Sequence, residues 1–188
     1  MKNIQRRLRR LALTGRGEKE EIFNDIYRLY ARKIRGFIAL RLPNYPDDCD
    51  DLTQITLLKV YRHLHEYKPL FTMNTWIYTI ANRTLIDFVR KESKKGDCPQ
   101  HPSSSIDDAV SPYTDPVDTL IDAETVQSVR YCLESLDWQD RQIAYLRFYE
   151  CLKIKNIAGI LGKPQGTVKY RIYRIRRQLK KKLEEKYG

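Results

Sequence analysis

The fold is indicated most clearly by the sequence Asn156-Ile157-Ala158-Gly159-Ile160-Leu161-Gly162, which continues as Lys163-Pro164-Gln165-Gly166-Thr167-Val168-Lys169-Tyr170-Arg171. The first half forms a short apolar helical face. Gly162 ends that face, because glycine adopts the left-handed conformation of a helix C-terminus without steric cost. Pro164 suits the start of a second helix, where its missing N–H leaves nothing unpaired, and Thr167 lies near that start. The sequence therefore predicts a helix-turn-helix.

The helix predicted after the turn is amphipathic and basic. Its apolar positions recur three or four residues apart, and they are Val168, Ile172, Ile175, Leu179 and Leu183. Cationic and hydrogen-bonding side chains occupy the remaining surface. This division is typical of a recognition helix, which packs its apolar stripe on its own domain and presents the other face to a DNA major groove. The alternative is a basic helix with a merely solvated polar face, and the turn before it favours the recognition helix.

Composition indicates a polyanionic partner. The 188 residues include 35 Lys and Arg against 24 Asp and Glu, giving a formal net charge of +11. Nucleic acid fits this charge better than a membrane does, because no apolar run approaches the roughly 20 residues that span a bilayer. The N-terminus lacks a secretory apolar segment, so we expect a cytoplasmic protein with reduced thiols.

The sequence predicts no catalytic, metal or cofactor site. It lacks a phosphate-cradling glycine loop, a metal-spaced His/Glu pair, and a Ser or Cys near a recognisable His base. The four cysteines are widely spaced. Cys98 and His101 lie three apart, but a zinc ion would need two further ligands from elsewhere, so free thiols are favoured.

Helical periodicity along the chain predicts an all-α fold with two helical domains. A basic arm covers residues 1–17, and the first domain covers 18–95. The segment 96–118 mixes proline, serine and aspartate with few apolar residues, which predicts a flexible linker. The second domain, at 119–188, ends with the helix-turn-helix, and the sequence Asp137-Trp138-Gln139-Asp140 is expected to cap the helix before that motif.

Three helices are predicted in the first domain, at 18–42, from 47 to about 67, and from 75 onward, with a loop at 68–74. The second of them has two apolar faces. One contains Leu52, Ile55, Leu58 and Tyr61, and the other contains Leu57, Val60 and Leu64. The pattern leaves two interpretations open: a surplus face that binds a partner, or both faces packed within the domain. In the third helix, Trp76, Ile77, Ala81 and Leu85 are expected to face inward, with Tyr78 and Asn82 elsewhere.

Three motifs in this order resemble those of the bacterial extracytoplasmic-function (ECF) sigma factors. They are Asp51-Leu52-Thr53-Gln54, then Thr75-Trp76-Ile77-Tyr78-Thr79-Ile80-Ala81-Asn82-Arg83 with Arg90, and finally Gly166-Thr167-Val168-Lys169. The resemblance covers both predicted domains. It implies that the first domain opens the minus-ten end of the promoter bubble and that the second reads the minus-thirty-five element.

The resemblance also implies partners and site residues. Core RNA polymerase would be bound through its beta-prime clamp helices and beta flap, and the surface on the clamp helices would contain Asp51, Gln54, Leu58 and Tyr61. Minus-ten DNA would meet Lys68, Phe71, Met73, Asn74, Trp76, Asn82, Arg83 and Arg90, which hold a flipped base and the melted strand. Minus-thirty-five DNA would meet Gln165, Thr167, Lys169, Tyr170, Arg171, Tyr173, Arg174 and Arg177. Sigma factors of this kind are commonly held inactive by an anti-sigma factor.

The sequence departs from the family pattern at four of these places. Ile55 follows the Leu-Thr-Gln motif where an acidic residue is usual, and Met73 stands where a phenylalanine commonly precedes the tryptophan. Tyr170 replaces a small residue in the recognition helix, and Lys153 stands where serine often caps the first helix of the motif. Base preference therefore cannot be copied from relatives.

Two other functions are alternatives to that of a sigma factor. A free-standing helix-turn-helix regulator would bind duplex DNA without polymerase, and it has no need for residues 51–54 or the Trp76 region. A protein that mimics a sigma factor would keep the clamp-binding helix and has no need for the arginines after Val168.

Overall fold

The computed structural model describes residues 16–42, 45–68, 72–95, 133 and 136–187. These residues form α1 (Arg16–Ala39), α2 (Pro46–Arg62), α3 (Met73–Lys95), α4 (Trp138–Ala144), α5 (Ile154–Leu161) and α6 (Gln165–Tyr187). A 3-10 turn, Leu64–Glu66, follows α2, and a π-helical turn, Tyr145–Tyr149, follows α4. The described ranges contain no strand, so the all-α prediction is confirmed.

The chain divides into two compact units. The first includes α2, α3 and most of α1, and the second includes α4 to α6. The predicted arm up to residue 15, the linker at 96–118 and residues 119–132 of the second predicted domain lie outside the described residues.

The core of the first unit begins on α1. Its side chains at Ile22, Ile26, Ile34, Phe37 and Ile38 are completely buried, as the 3.6-residue apolar period predicts. Tyr27, at the edge of the same stripe, is exposed. Helix α1 therefore buries a narrower face than its aromatic residues suggest.

Helix α2 supplies two faces with different environments. It begins at Pro46, the residue type that suits a first helical position, and no side chain caps its N-terminus. Leu57 and Val60 are buried, whereas Ile55 and Leu58 are 44% and 47% exposed. The interpretation in which both apolar faces pack within the domain is therefore wrong for Ile55 and Leu58.

Helix α3 is buried over a wider arc than predicted. The structure buries Tyr78 and Asn82, to 0% and 6% exposure, although the sequence placed both away from the inward face. The reason is that α3 packs against two neighbours. The Tyr78 ring meets Phe37 of α1 edge-on at 5.3 Å between centroids, and Lys59 of α2 donates to the Thr84 hydroxyl at 3.0 Å.

The second unit is built around α4 and the helix-turn-helix. The Asp137 carboxylate accepts the Asp140 N–H at 2.8 Å, which confirms the predicted cap of α4. The core side chains that are completely buried come from α4, the π-helical turn, α5 and α6, and they are Ile143, Leu146, Ile157, Val168 and Ile175. Packing of α6 on α4 and α5 leaves the opposite side of α6 exposed.

Candidate nucleic-acid and protein interfaces

The turn between α5 and α6 has the geometry that its sequence predicts. Gly162 ends α5 in the left-handed region, at φ 62° and ψ 33°. The Gly162 N–H donates to the Ala158 carbonyl, and the Lys163 N–H donates to the same oxygen at 3.0 Å, which closes the end of the helix. The Val168 N–H bonds to the Pro164 carbonyl at 3.2 Å and starts α6. A tight turn therefore connects α5 to α6 in a helix-turn-helix.

The side of α6 that faces away from the core is aromatic and cationic. Tyr170 and Tyr173 are 65% and 64% exposed, although such large apolar rings are usually covered. Six of the residues predicted to meet minus-thirty-five DNA are exposed, namely Gln165, Thr167, Lys169, Tyr170, Tyr173 and Arg177. This face combines cations for phosphates with rings and hydrogen-bonding groups for base edges.

The other two predicted contacts, Arg171 and Arg174, are ion-paired within the second unit. Arg171 Nη1 lies 2.8 Å from Asp140 Oδ1 and 3.6 Å from Asp137 Oδ1. Arg174 Nη2 lies 3.2 Å from Asp137 Oδ2 and also contacts Asp140 Oδ2. The hydrogen bond with Asp140 raises the pKa of Arg174 above its usual range, and the charge of Asp140 adds to that rise. Both guanidinium groups are therefore engaged before any DNA is bound.

The predicted polymerase-binding residues share one side of α2. Asp51, Gln54 and Leu58 are exposed there, and Ile55 adds a second exposed aliphatic side chain. Tyr61 is half-buried, with Phe23 of α1 edge-on at 5.0 Å between ring centroids and the Lys19 ammonium 4.4 Å above its ring. The four predicted residues therefore lie on α2, with Tyr61 held against α1.

A groove of about 780 Å³ runs between α1 and α2 in the first unit. Its apolar wall contains Phe23, Tyr27, Leu57, Leu58 and Tyr61. At its polar end Arg35 Nε lies 2.5 Å from Asp50 Oδ1, and Asp50 raises the pKa of Arg35 through this hydrogen bond. The groove and the exposed aliphatic side chains of α2 form a continuous surface through Leu58. We call this surface the α2 face.

The residues predicted to meet minus-ten DNA have mixed environments. Lys68, Arg83 and Arg90 are exposed, and Asn74 and Trp76 are half-buried. Met73 and Asn82 are buried, at 2% and 6% exposure. Phe71 lies outside the described residues. The exposed cations and Trp76 can meet a strand directly in this conformation, whereas Met73 and Asn82 cannot.

The start of α3 is held by hydrogen bonds from neighbouring residues. The Thr72 hydroxyl accepts the Thr75 N–H at 3.3 Å, and Tyr30 of α1 donates its hydroxyl proton to Asn74 Oδ1. Trp76 contacts the Tyr67 ring at 5.3 Å between centroids. Helix α3 therefore begins at Met73, two residues before the predicted start, which shortens the predicted loop.

Comparison with known proteins assigns the chain to a family. The family described as Sigma-70 region 2 matches residues 26–95, and the family described as Sigma-70, region 4 matches residues 127–179. The ECF RNA polymerase sigma-E factor of Escherichia coli strain K12 is 26% identical over 175 residues, which cover 88% of each chain. This chain belongs to the ECF branch of the sigma-70 family. It is a sigma factor that binds RNA polymerase and directs it to promoters.

One further relative and two solved structures are similar to this ECF sigma factor, and the structures share its fold. The RNA polymerase sigma factor YlaC of Bacillus subtilis is 28% identical over 161 residues, covering 85% of this chain and 90% of that protein. The fold matches the sigma factor RpoE of Bartonella quintana, solved with the anti-sigma factor NepR, at a TM-score of 0.63 and 22% identity, over 86% of this chain and 96% of that one. It also matches CnrH, solved with the cytosolic domain of CnrY, at 0.59 and 16% identity, over 96% and 97%.

These findings disfavour the free-standing regulator. A protein that only binds duplex DNA has no need for region 2, yet the region 2 match spans 70 residues of this sigma factor, from 26 to 95. The mimic is likewise disfavoured, because the region 4 match includes the helix-turn-helix.

The described residues form neither a metal-binding cluster nor a membrane-spanning helix. The part of the chain that the structure describes contains no cluster of three His, Cys, Asp or Glu residues able to hold a metal ion. Within the same ranges, no helix of the sigma factor has the length and hydropathy needed to cross a membrane. Cys98 and His101, weighed above as zinc ligands, lie outside those ranges.

Sequence reasoning missed two groups of residues that shape these surfaces. Asp137 and Asp140 were expected only to cap α4, but they also bind arginines of α6. Their three-residue spacing at a helix start is a weak signal for this, since it places both on one side of α4. Tyr30 is buried on α1, and no sequence pattern indicates that its hydroxyl reaches Asn74.

Proposed function

We propose that the two units of this sigma factor divide the steps of initiation. The first unit recruits core polymerase through the α2 face and holds melted minus-ten DNA near the start of α3. The second unit binds the duplex minus-thirty-five element through α6. The observation that carries the proposal is the exposure of Leu58 and Ile55, at 47% and 44%, beside Gln54 and Asp51 on one side of α2.

The α2 face is suited to a protein partner rather than to DNA. Adjacent exposed aliphatic side chains mark interaction sites, because their burial against a partner is favourable at roughly 25 cal/mol per Å². Asp47, Asp48, Asp50 and Asp51 occupy the first turns of α2 and would repel phosphates. The family resemblance names the beta-prime clamp helices as the occupant. The beta flap would be the corresponding partner of the second unit.

The minus-ten site in this proposal rests on exposed and half-buried residues. Lys68, Arg83 and Arg90 would neutralise phosphates of the melted strand, and Trp76 would offer its free ring surface to a base. Asn74 and Phe71 belong to the segment that would hold a flipped base. Met73 and Asn82, being buried, would support this segment from within.

The minus-thirty-five site rests on the exposed face of α6. Tyr170 and Tyr173 would lie against base edges, where an aromatic ring packs favourably on a thymine methyl group. Lys169 and Arg177 would pair with phosphates or guanine edges. Gln165 and Thr167, at the N-terminus of α6, would donate hydrogen bonds to the DNA backbone. Since Tyr170 replaces a small residue, the upstream preference would differ from that of relatives.

Control by an anti-sigma factor is part of the proposal. The sigma factor of Bartonella quintana was solved with the anti-sigma factor NepR. An inhibitor of the present protein would cover the α2 face, because the exposed apolar side chains there are shielded from water only when a partner is bound. The protein would act in the cytoplasm, where polymerase and promoter DNA are present, and would have no catalytic activity, metal or cofactor of its own.

A matched pair of substitutions tests the recruitment step. Leu58 and Ile86 are both exposed aliphatic side chains of the first unit, at 47% and 43%, but they belong to α2 and α3. Leu58→Asn should weaken the affinity for core polymerase by about 1–2 kcal/mol, roughly 5- to 30-fold, because a side chain central to an interface is lost. Ile86→Asn should leave that affinity within about twofold. Fluorescence-detected titration of labelled protein with core polymerase measures both.

A second substitution and an activity assay complete the test. Gln54→Ala should also impair core binding while far-UV circular dichroism stays unchanged. Wild-type protein with core polymerase should initiate at defined sites on genomic fragments. Equal losses for Leu58→Asn and Ile86→Asn would show that the α2 face is not the docking surface. An absence of start sites, together with tight duplex binding by the protein alone, would instead favour the free-standing regulator.

A further inference from the structure

Two arginines of α6 converge on one buried carboxylate. The Asp140 side chain is 1% exposed, and each of its oxygens meets a different guanidinium group. Arg171 and Arg174 lie three residues apart, so they project from the same side of α6 on successive turns. The Asp140 carboxylate of α4 therefore contacts α6 on two successive turns.

Asp137 makes a weaker version of the same contacts. Its side chain is 49% exposed, and its distances to Arg171 and Arg174 are 3.6 and 3.2 Å. One of its oxygens also accepts the Asp140 N–H at 2.8 Å. Solvent screens an ion pair at this exposure much more than one at a buried carboxylate. Asp140 therefore makes the closer and better shielded contacts with both arginines.

These contacts restrict the rotation of α6 about its axis. The apolar stripe of Val168, Ile172 and Ile175 fixes which side of α6 faces the core, but aliphatic packing is not directional. Hydrogen bonds from a planar guanidinium to a carboxylate are directional. Two such bonds, one turn apart, leave α6 little freedom to roll. The direction in which Tyr170 and Tyr173 project depends on that roll.

The ion pairs also change how many cations α6 can offer to DNA. Binding to a phosphate releases counterions, and each contact contributes about −0.9 to the slope of log affinity against log salt concentration. Arg171 and Arg174 already face two carboxylates, whereas Lys169 and Arg177 are exposed. Lys169 and Arg177 can therefore contact phosphates and add to the salt dependence of binding. Arg171 and Arg174 cannot do so while they stay on the carboxylates.

We propose that Asp140 is a positioning residue for recognition of the minus-thirty-five element, acting by holding Arg171 and Arg174 and so fixing the direction of the exposed side chains of α6. In the bound state Arg174 stays on Asp140 and reads no base. This inference deepens the proposed function and rests on it, because it requires that the second unit binds the upstream duplex. It gives the two arginines the role of holding α6 in position, instead of contacting a base or a phosphate.

The test uses holoenzyme reconstituted from core polymerase and the full chain. The probes are two promoter duplexes that share one mapped start site, one with the native upstream element and one with that element scrambled. The affinity for each is measured over a series of salt concentrations. Asp140→Asn keeps the size and one acceptor oxygen of the side chain but removes its charge. Asp137→Ser is the matched control, because serine retains the capping function while removing the weaker ion pairs.

Asp140→Asn should reduce the preference for the native element about tenfold. On the scrambled duplex its salt slope should steepen by about 1, because a released guanidinium then meets a phosphate. Asp137→Ser should change the preference by less than about threefold. A variant of Asp140 that kept the wild-type preference, or a control that lost as much as Asp140→Asn, would overturn the proposal.

Arg174→Gln provides a second route that does not depend on how well Asp140→Asn folds. If Arg174 acts through Asp140, this variant should lower the preference at every base pair of the element and leave the salt slope unchanged. Combining it with Asp140→Asn should add little further loss, since both act on one contact. A preference relaxed at a single base pair would identify a base contact, and a slope reduced by about 1 would identify a phosphate contact. Either outcome would contradict the proposal.

The same measurements separate this inference from the function beneath it. Wild-type holoenzyme that did not distinguish the native from the scrambled duplex would show that the second unit does not read the element, and the proposed function would fail. Wild-type discrimination that survived in the Asp140 and Arg174 variants would leave that function intact and remove the positioning role.

Discussion

The residues predicted to meet DNA lie in different environments in the two units. In the second unit, six of eight are exposed on one helix, and the other two bind carboxylates of the same unit. In the first unit, Met73 and Asn82 are buried, and Asn74 and Trp76 contact core side chains. Duplex DNA presents a fixed groove to a helix that is already arranged. A melted strand is flexible, so its site can be built partly from residues that also hold the domain together.

The largest effect expected from this comparison concerns two tyrosines. Tyr78 of α3 is 0% exposed and Tyr170 of α6 is 65% exposed. Tyr78→Ala should lower the free energy of unfolding by about 3–5 kcal/mol, because it leaves a cavity beside Phe37. Tyr170→Ala should change it by less than about 0.5 kcal/mol. Urea denaturation of both variants measures the difference, and equal stabilities would contradict the burial of α3.

The two described cysteines extend the comparison to chemical reactivity. Burial raises the pKa of the Cys49 thiol to about 11, so this thiol stays protonated at pH 8, whereas Cys151 is exposed. Because the raised pKa favours the neutral thiol in the folded state, its contribution to stability is present below pH 9 and is lost as the pH rises toward 11.

Alkylation by iodoacetamide at pH 8 tests this difference. In chains that retain a single cysteine, Cys49 should react at least about 100-fold more slowly than Cys151, because it must wait for the first unit to open. Similar rates would mean that the first unit opens readily. Addition of urea should remove the difference and serves as the control.

A smaller effect separates neighbouring residues of α3. Asn82 is 6% exposed and Arg83 is exposed. Asn82→Ala should cost about 1–3 kcal/mol of stability, because it removes a buried hydrogen-bonding side chain. Arg83→Ala should leave stability within about 0.5 kcal/mol and should instead weaken binding of single-stranded minus-ten DNA by holoenzyme. Thermal denaturation and strand-binding assays distinguish the two, and a stable Asn82→Ala variant with poor strand binding would assign Asn82 to the DNA.

The smallest effect concerns two glycines of the helix-turn-helix. Gly162 has a φ of 62°, Gly159 lies within α5, and a Cβ atom at either position would meet nothing within 4 Å. Gly162→Ala should destabilise the second unit by about 1 kcal/mol through backbone strain alone. Gly159→Ala should stabilise it by about 0.5–1 kcal/mol, because alanine is the better helix former. The unfolding midpoint of Gly159→Ala should therefore lie above that of Gly162→Ala. The reverse order would contradict the left-handed conformation of Gly162.

Local sequence patterns were sufficient for much of this fold. The cap at Asp137, the left-handed Gly162 and the apolar stripe of α6 each depend on residues within one or two turns. The cap and the left-handed glycine were confirmed, and so was the stripe from Val168 to Ile175, whereas Leu179 is half-buried. The α2 pattern also identified two apolar faces, although only the structure showed that Ile55 and Leu58 stay exposed.

The features that the sequence did not reveal depend on contacts between distant segments. The bonds from Arg171 and Arg174 to Asp140 span 31 and 34 residues, and the bond from Tyr30 to Asn74 spans 44. Periodicity shows which side of a helix is apolar, but it does not show which polar groups a neighbouring helix will bring near. The burial of Tyr78 and Asn82 was missed for the same reason, because a helix with two neighbours buries more than its apolar stripe.

The division between the two units is tested most directly by transcription from two templates. One is a fully paired promoter, and the other carries the same sequence with the minus-ten region already unpaired by mismatches. Arg83→Ala should initiate poorly on the paired promoter and should recover to near wild type on the premelted one. Tyr173→Ala should be impaired on both, since premelting does not replace the upstream anchor. Recovery of both variants, or of neither, would contradict the assignment of melting to the first unit and duplex recognition to the second.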